Sequence, residues 1–268
     1  MKYVLGLMLF AGGLAHGLSC TNLPVGATKL GYNTQVFYDE PKLTEVSITD
    51  LDSTSKWYPG SFSSPVSHNL ASREFLSMSG TELAIGLGGG VSSETHASKS
   101  GPIPFLSGAN GFYVEFAMRL SSNDPDHFTG LFLQTAEHNL AKSDHLSTDP
   151  AGYERWTEID VSEAGYGPGS LATVINWWGI YPHYSSQVFN SWGHDAPLDF
   201  TKEHRFGVSY DPATNVLQWY IDDVPTFKSN PPNSVLKNFH YYLVMAAGSH
   251  GSHIPYEMYI HYVTAYTK

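Results

Sequence analysis

Apolar and polar residues alternate in short runs along most of the chain, with the period of two that is typical of β-strands buried on one face. Gly, Pro, Ser, Asn and Asp separate these runs as turn formers. The pattern predicts strands at Val36–Tyr38, Val46–Ile48, Glu74–Met78, Glu82–Gly86, Phe112–Arg119, Thr129–Thr135, Thr157–Glu163, Ala172–Trp178, His204–Tyr210, Val216–Ile221, Tyr241–Ala247 and Met258–Ala265. Strands at this spacing, without a long helical stretch, favour an antiparallel sandwich or barrel.

The domain organisation that we predict is simple. A chain of 268 residues accommodates one large all-β domain, and no shift in composition marks a boundary. We predict a single domain over 36–268, preceded by an irregular, polar lead-in over 20–35. Long loops are expected at 88–108, 136–150 and 179–198, where binding sites on rigid sandwiches usually lie.

The N-terminus has the features of a secretory signal peptide. Met1-Lys2 precedes the short apolar run Tyr3–Ala15, which is too short and too rich in Gly for a membrane span. We predict a signal peptide over 1–19, cleaved between 15 and 20, and hence secretion. Cys20 is the only Cys, so an intrachain disulfide is excluded. In a bacterial protein, Leu18-Ser19-Cys20 would also fit a lipoprotein box, with a periplasmic or lipid-anchored product.

The net charge and the aromatic content limit the classes of molecule that this protein is expected to bind. The formal net charge is −11 and no basic stripe occurs, which argues against nucleic acid and anionic membrane surfaces. Aromatic residues make up 14% of the chain, and their flat faces suit both a β-sandwich core and stacking on sugar rings. We therefore expect a monomer that binds a polysaccharide.

The stretch with the most candidate catalytic residues is an acidic strand. Glu158 and Asp160 alternate with Ile159 and Val161, which places the two acids on one face and the apolar pair on the other. Glu163 follows five residues after Glu158 and would point to the apolar side of a regular strand. A β-bulge between Asp160 and Glu163 would return it to the acidic face. Spacing alone equally favours an exposed edge strand with solvated acids.

A pair of carboxylates can cleave a glycosidic bond. One acid donates a proton to the leaving oxygen, and the other attacks the anomeric carbon or activates a water. A separation of about 5–5.5 Å implies retention of configuration, and about 6.5–9.5 Å implies inversion. Crowding of carboxylates raises the pKa of one of them, as a general acid at neutral pH requires.

The segment Glu158-Ile159-Asp160-Val161-Ser162-Glu163 resembles the Glu-x-Asp-x-x-Glu signature of glycoside hydrolase family 16, which includes laminarinases, lichenases, agarases and carrageenases. Weaker similarity extends in the expected order to Lys56-Trp57, Gly111–Leu120, Gly130–Leu133, His204–Val208, Trp219–Asp223 and Met258–Val263. The resemblance implies a concanavalin-like jelly roll of two curved antiparallel sheets with a cleft on the concave face. It also implies that Glu158 is the nucleophile, Asp160 the assisting acid and Glu163 the general acid/base.

By this resemblance the protein is a retaining endo-glycosidase of β-linked polysaccharide. Tyr241–Gly248 is more similar to the β-1,3- or mixed-linked glucanases, whereas Ala164–Gly167 and His204–Val208 also resemble agarases, so a galactan is the alternative substrate. A lectin-like sandwich that binds glycan without cleaving it is a second alternative. Both motif Glu residues are present, which favours the enzyme.

Candidate contacts to the substrate are the aromatic and polar residues near the acidic strand, namely Trp156, Asn176, Trp177, Trp178, Trp192 and His250. Because Trp177 and Trp178 are adjacent in a strand, one of them is expected to face the core. No metal-ligand spacing occurs among the loop histidines, and we expect no cofactor. The family resemblance allows a structural calcium, although His261 stands where Asp is usual.

Overall fold

The structure is a computed structural model that describes residues 23–48, 54–60, 70–94, 101–139, 148–165, 169–180, 182–193, 197–232, 236–249 and 253–268, and the side chains of all of these except 70–72, 139 and 190–193. Within these ranges, sixteen strands form two antiparallel sheets. The strands are β1 (Thr34–Asp39), β2 (Tyr58–Pro59), β3 (Leu76–Ser79), β4 (Glu82–Gly86), β5 (Gly90–Ser92), β6 (Leu106–Ser107), β7 (Phe112–Leu120), β8 (His127–Thr135), β9 (Tyr153–Glu163), β10 (Leu171–Ile180), β11 (His183–Gly193), β12 (His204–Asp211), β13 (Val216–Ile221), β14 (Val224–Ser229), β15 (His240–Ser249) and β16 (Glu257–Thr267).

The two sheets contain eight strands each. The first sheet has the order β14-β13-β12-β7-β16-β4-β3, with β1 also paired to β16. The second has the order β11-β10-β9-β8-β15-β5-β2, with β6 also paired to β15. Consecutive hairpins at the sheet edges are joined through neighbours that are distant in sequence, such as β7 and β16 or β8 and β15, as in a jelly-roll sandwich. The predicted all-β jelly-roll fold is confirmed.

The core lies between the sheets and follows the alternation along the strands. From the first sheet, Val114, Phe116 and Val208 point inward, and from the second Leu133 and Ile159 do so; all five are fully buried. Burial of such a side chain stabilises the fold by about 1.5–3 kcal/mol relative to exposure. The alternate positions on each strand face away from this core, and these outward faces carry the polar chemistry.

Helices are few and short among the described residues. They are α1 (Val25–Lys29), α2 (Ala136–Asn139) and 3₁₀ turns at Leu43–Glu45, Leu70–Phe75 and Leu236–Asn238. None of the helices in the described part of the chain has the length and apolar character to cross a membrane.

Several sequence expectations need correction, including the loop over 88–108, which contains β5 and β6, and the loop over 136–150, which begins with α2. The lead-in is not irregular throughout, because α1 packs on the outward face of the first sheet through Ala27, next to the buried Tyr32. Val46–Ile48 is not a strand and contributes one isolated bridge to Trp57. The predicted loop 179–198 contains strand β11, which pairs along β10 at the edge of the second sheet.

Candidate active site

The acidic strand β9 lies in the interior of the second sheet, with β8 on one side and β10 on the other. The alternative of an exposed edge strand is therefore excluded. Ile159 and Val161 belong to the core between the sheets, as the alternation predicts. Glu158 and Asp160 consequently face outward from the sandwich.

A bulge interrupts β9 between Asp160 and Glu163. On β8, Phe132 pairs with Asp160 and Leu131 with Ser162, so β9 contains one extra residue. The pairing of β9 with β10 shifts at the same place. The bulge reverses the parity of the strand, and Glu163 joins Glu158 and Asp160 on the outward face. The structure thus contains the bulge that the spacing of the three acids required.

A tryptophan from the opposite sheet binds the backbone at this bulge. The indole Nε1–H of Trp219 on β13 donates a hydrogen bond of 2.8 Å to the carbonyl oxygen of Asp160. Trp219 is 1% exposed and crosses the core to reach this oxygen. A bulge leaves backbone groups without ladder partners, and a buried carbonyl without a donor is destabilising. Trp219 therefore stabilises the irregularity that brings the acids together.

Glu158 has a specific donor on the neighbouring strand. Gln134 of β8 lies opposite Glu158, and its Nε2 donates a hydrogen bond of 2.7 Å to Glu158 Oε2. Burial raises the pKa of the Glu158 carboxyl, whereas the hydrogen bonds from Gln134 and Asp160 oppose that shift. The two donors therefore favour the charged form of Glu158, but burial outweighs them and leaves the pKa of this carboxyl above its ordinary value.

Asp160 is the most deeply buried of the three acids, at 0% exposure. Thr173 on β10 donates its hydroxyl to Asp160 Oδ2, whereas Oδ1 is buried without a hydrogen-bond partner among the described residues. Burial, followed by the negative charges of Glu158 and Glu163, raises the pKa of Asp160 well above its ordinary value. A proton on Asp160, donated to Glu158, relieves both the repulsion and the missing hydrogen bond.

Glu163 has the properties of an acid that titrates near neutrality. Burial and, next, the negative charge of Glu158 raise the pKa of Glu163 to about 7. Its partner on β8 is Gly130, which has no side chain, and its partner on β10 is Leu171. Neither flanking residue offers a charged group to Glu163. A carboxyl with this pKa is protonated in about half of the molecules at neutral pH and can donate a proton.

The outward face also carries a stack of three rings. Trp156 on β9 packs against Trp177 on β10 with ring centroids 5.2 Å apart and an interplanar angle of 12°. On its other side Trp156 packs against His138 of α2 at 4.8 Å. Trp156 is only 8% exposed, so its ring faces are covered by protein. Trp177 lies at the other end of the stack, is only partly buried and can offer a ring face to a sugar.

Asn176 and Trp178 lie on the opposite face of the same sheet. Thr157 donates a hydrogen bond of 2.7 Å to Asn176 Oδ1 on the core side. Both Asn176 and Trp178 line a cavity of about 340 Å³ together with Arg155 and Phe239. Trp156 and Trp177 also border this cavity. Alternation directs Asn176 and Trp178 to the side of the sheet away from the acids, and their contact with substrate stays a prediction from the sequence.

The side chains of two further candidate substrate contacts are not described by the structure. His250 lies outside the described residues. For Trp192 the structure describes only the backbone, which pairs with Ala172 on β10. Their contact with substrate remains a prediction from the sequence.

The described residues include no group of three or more His, Cys, Asp or Glu side chains placed to hold a metal ion. At the position where family 16 sequences usually have Asp, His261 Nδ1 lies 2.7 Å from Glu203 Oε2. Calcium prefers oxygen ligands, and this imidazole is engaged with a carboxylate instead. The residue does not fit a calcium site of the kind that the family resemblance allows.

The sequence alone did not identify the residues that surround the three acids. These are Gln134, Tyr242, Thr173 and Trp219 around the acids and their bulge, together with His138, which stacks on Trp156. Each is polar or aromatic within an apolar strand or beside one, which is the only sequence feature that could have marked them. Their role depends on which strands are neighbours, and strand order in a jelly roll is not local information.

No protein-family model and no curated protein matches the sequence. Solved structures with the same fold include an endo-β-1,3-glucanase from Pyrococcus furiosus, at 13% identity and a TM-score of 0.54, covering 87% of this chain and 94% of that one. A κ-carrageenase from Pseudoalteromonas carrageenovora, bound to a κ-carrageenan oligosaccharide, has 14% identity and a TM-score of 0.53, covering 73% and 83%.

A glycoside hydrolase family 16 endo-glucanase from Bacteroides ovatus is similar as well, at 14% identity and a TM-score of 0.52, covering 85% of this chain and 99% of that one. At these identities the likeness establishes the fold. The predicted resemblance to enzymes of the family 16 type is confirmed at that level.

Proposed function

We propose that this protein is a secreted, endo-acting glycoside hydrolase of the family 16 type that cleaves a β-linked polysaccharide with retention of configuration. The observation that carries the proposal is the bulge in β9, which aligns Glu158, Asp160 and Glu163 on one outward face. The raised pKa of Glu163, about 7, supports its assignment as the proton donor. The similar folds of known glycanases are consistent with it.

The reaction follows from the three environments. Glu158, which receives the Gln134 hydrogen bond, attacks the anomeric carbon while Glu163 gives its proton to the leaving glycosidic oxygen. Glu163, now charged, takes a proton from water, and the resulting hydroxide displaces Glu158 from the anomeric carbon. Both carboxyls return to their starting protonation states. Asp160 keeps its proton and donates to Glu158 in the ground state.

For the substrate we propose a β-1,3- or mixed-linked glucan, with an agar-type galactan as the alternative. A panel of laminarin, mixed-linked barley glucan, agarose and κ-carrageenan, assayed by release of reducing ends with sizing of the products, discriminates between them. NMR of the anomeric proton during the first turnovers checks retention. Binding to one of these polysaccharides without any cleavage would show that the protein is a glycan-binding sandwich instead.

The assignment of the nucleophile is tested by Glu158→Gln. This variant is expected to lose at least about 10³-fold in kcat, because a carboxamide cannot form the covalent intermediate. It should keep its affinity for the polysaccharide in a pull-down or calorimetric assay. Turnover at the wild-type rate would remove Glu158 from this role.

The two adjacent tryptophans test which face of the sheet binds the chain of sugars. Trp177→Ala is expected to raise KM about 5- to 30-fold, because loss of an aromatic stacking face removes about 1–2 kcal/mol. Trp178→Ala, a matched variant on the opposite face, is expected to change KM less than twofold. Equal effects would show that the acidic face is not the cleft.

A further inference from the structure

Beyond the three acids, a chain of two buried hydrogen bonds leads from β15 through β8 to Glu158. The hydroxyl of Tyr242 donates to Gln134 Oε1 at 2.7 Å, and Gln134 Nε2 donates to Glu158 Oε2 at 2.7 Å. Tyr242 is 1% exposed and Gln134 is 2% exposed. Three adjacent strands, β15, β8 and β9, contribute one member each.

The direction of both hydrogen bonds is fixed by chemistry. A carboxylate only accepts, so the atom of Gln134 that faces Glu158 must be the amide nitrogen. The amide oxygen then faces Tyr242 and needs a donor, which the phenol hydroxyl supplies. Without that hydroxyl the amide would bury an unpaired oxygen, and rotation by 180° would place this oxygen against Glu158.

We propose that Tyr242 and Gln134 are positioning residues that orient the Glu158 carboxylate and stabilise its charged form for attack. Gln134 supplies the hydrogen bond, and Tyr242 fixes which end of the Gln134 amide faces Glu158. The proposal rests on the assignment of Glu158 as nucleophile. It adds two residues, from strands outside the acidic motif, to the requirements of the reaction.

The groups around Glu158 show why the hydrogen bond from Gln134 matters for its charged form. On its own strand, Glu158 accepts a hydrogen bond from Asp160, and its negative charge raises the pKa of Glu163. Across β10 its partner is Ile175, which has no polar group. From α2, His138 packs on the ring of Trp156 at the end of the stack. On the β8 side, Gln134 is the donor that the described residues supply.

The test uses Gln134→Met, which keeps the length of the side chain and removes both hydrogen-bonding ends. We expect the acidic limb of kcat/KM against pH to move upward by about one pH unit, because a charged acceptor loses its donor. At the optimum, kcat/KM should fall about 10- to 100-fold, with most of the loss in kcat.

Tyr242→Phe is the second variant, since it leaves Gln134 in place and removes only the hydroxyl that fixes the amide. It should shift the acidic limb in the same direction by a smaller amount. Tyr241→Phe is the matched control: Tyr241 is the preceding residue on β15, is 0% exposed and donates its hydroxyl to the Leu236 carbonyl at 3.2 Å on the core side. This control loses a buried hydroxyl without touching the acidic face.

A readout that is independent of turnover separates this proposal from the proposed function. Titration of ¹³C-labelled Glu carboxyls by NMR, with Glu158 assigned by the loss of its signal in Glu158→Gln, follows the ionisation of Glu158 directly. An upward shift of the pKa of Glu158 in Gln134→Met and Tyr242→Phe, absent in Tyr241→Phe, supports the relay even if no tested polysaccharide is cleaved. If neither variant moves the Glu158 titration beyond Tyr241→Phe, the relay is overturned, whatever the enzyme activity.

Discussion

Two clusters of buried carboxylates lie on the outward faces of the two sheets, and they differ in their partners. On the first sheet, Glu115 is 1% exposed and accepts one hydrogen bond at each oxygen, from the hydroxyls of Tyr113 and Tyr262, both at 2.7 Å. The Arg205 guanidinium nearby favours its charged form and pairs with Asp223 at 2.6 Å.

On the second sheet, the three acids of β9 face one another. No ion pair with Lys or Arg reaches Glu158, Asp160 or Glu163 within the described part of the chain, and Asp160 Oδ1 has no donor there. Burial raises the pKa of Glu115 as well, but its partners oppose that shift, whereas the acids of β9 reinforce it in Asp160 and Glu163. In the cluster around Glu115 the carboxylate is fully hydrogen-bonded, as expected for a group that contributes to stability. In the cluster on β9 the carboxylates repel one another, which is the arrangement that shifts pKa values at acid–base sites.

The largest expected effect of breaking the cluster on β9 is on catalysis. Glu163→Gln cannot donate or accept the proton, and kcat on a polysaccharide should fall about 10²- to 10⁴-fold. In the wild type, activity should decline as pH rises through about 7, since Glu163 loses its proton there. The residual activity of the variant should lack this alkaline limb. A pH–rate profile of both proteins checks this, and an unchanged alkaline limb in Glu163→Gln would assign the proton donor to another residue.

The sequence identified the acids but only part of what controls them. The alternation around Ile159 and Val161 is local, so it was sufficient to predict the outward face and the need for a bulge. It could not show that Trp219, 59 residues further along the chain, binds the carbonyl of Asp160. Nor could it show that Gln134 lies opposite Glu158, because register is set by pairing between strands.

The prediction of the fold also succeeded where the sequence pattern is local and failed where pairing between strands decides. Strands with one apolar face, such as β7 and β12, were located within a few residues. β11 was missed because Ser185, Ser186 and Gln187 carry no apolar alternation, and an edge strand needs little of it when β10 supplies the hydrogen bonds. α1 is only five residues long, and packing rather than periodicity stabilises it.

The next largest effect is expected where the bulge is bound to the opposite sheet. Trp219→Phe removes the hydrogen bond to the Asp160 carbonyl and leaves a small cavity beside a buried acceptor. We expect the free energy of unfolding to fall by about 2–3 kcal/mol, measured by urea denaturation. Because the bulge orients Glu163, kcat should fall as well at temperatures where the variant is folded.

A comparable core variant separates loss of packing from loss of the bulge. Phe116→Leu lies in the core of the first sheet at 0% exposure and contacts the same interior. It should destabilise the protein to a similar degree and leave kcat of the folded enzyme within about twofold. If both variants change kcat equally, the indole hydrogen bond does not support the geometry of the acids.

Relieving the repulsion among the acids of β9 should stabilise the protein. Because the pKa of Asp160 and of Glu163 is raised, the folded state binds protons more tightly than the unfolded state. This contribution to stability is complete below a pH of about 4 and is lost as pH rises through the folded-state values. Asp160→Asn supplies an amide donor toward Glu158 and does not have to bind a proton on folding, as the buried carboxyl of Asp160 does. At pH 8 it should unfold with a free energy about 1–2 kcal/mol higher than the wild type, while its activity falls.

Urea denaturation at pH 5 and pH 8 checks the sign of this effect. The wild type should lose more stability between these values than Asp160→Asn does, since the variant has one fewer group that must take up a proton on folding as the pH rises. A variant that is less stable than the wild type at pH 8 would show that the carboxyl of Asp160 contributes a favourable interaction instead.

The matched substitution in the cluster around Glu115 should have the smallest effect and the opposite sign. Glu115→Gln keeps the shape of the side chain but replaces one accepting oxygen with a donor, so only one of the hydroxyls of Tyr113 and Tyr262 keeps its acceptor. We expect the free energy of unfolding to fall by about 1 kcal/mol, and the pH–rate profile to coincide with that of the wild type, because Glu115 lies on the far sheet. Thermal unfolding measures the expected loss of stability, and the pH–rate profile measures whether activity is unchanged. A stabilising effect of Glu115→Gln would mean that burial of the charge outweighs its two hydrogen bonds, and the two outward faces would then differ in function but not in energetic character.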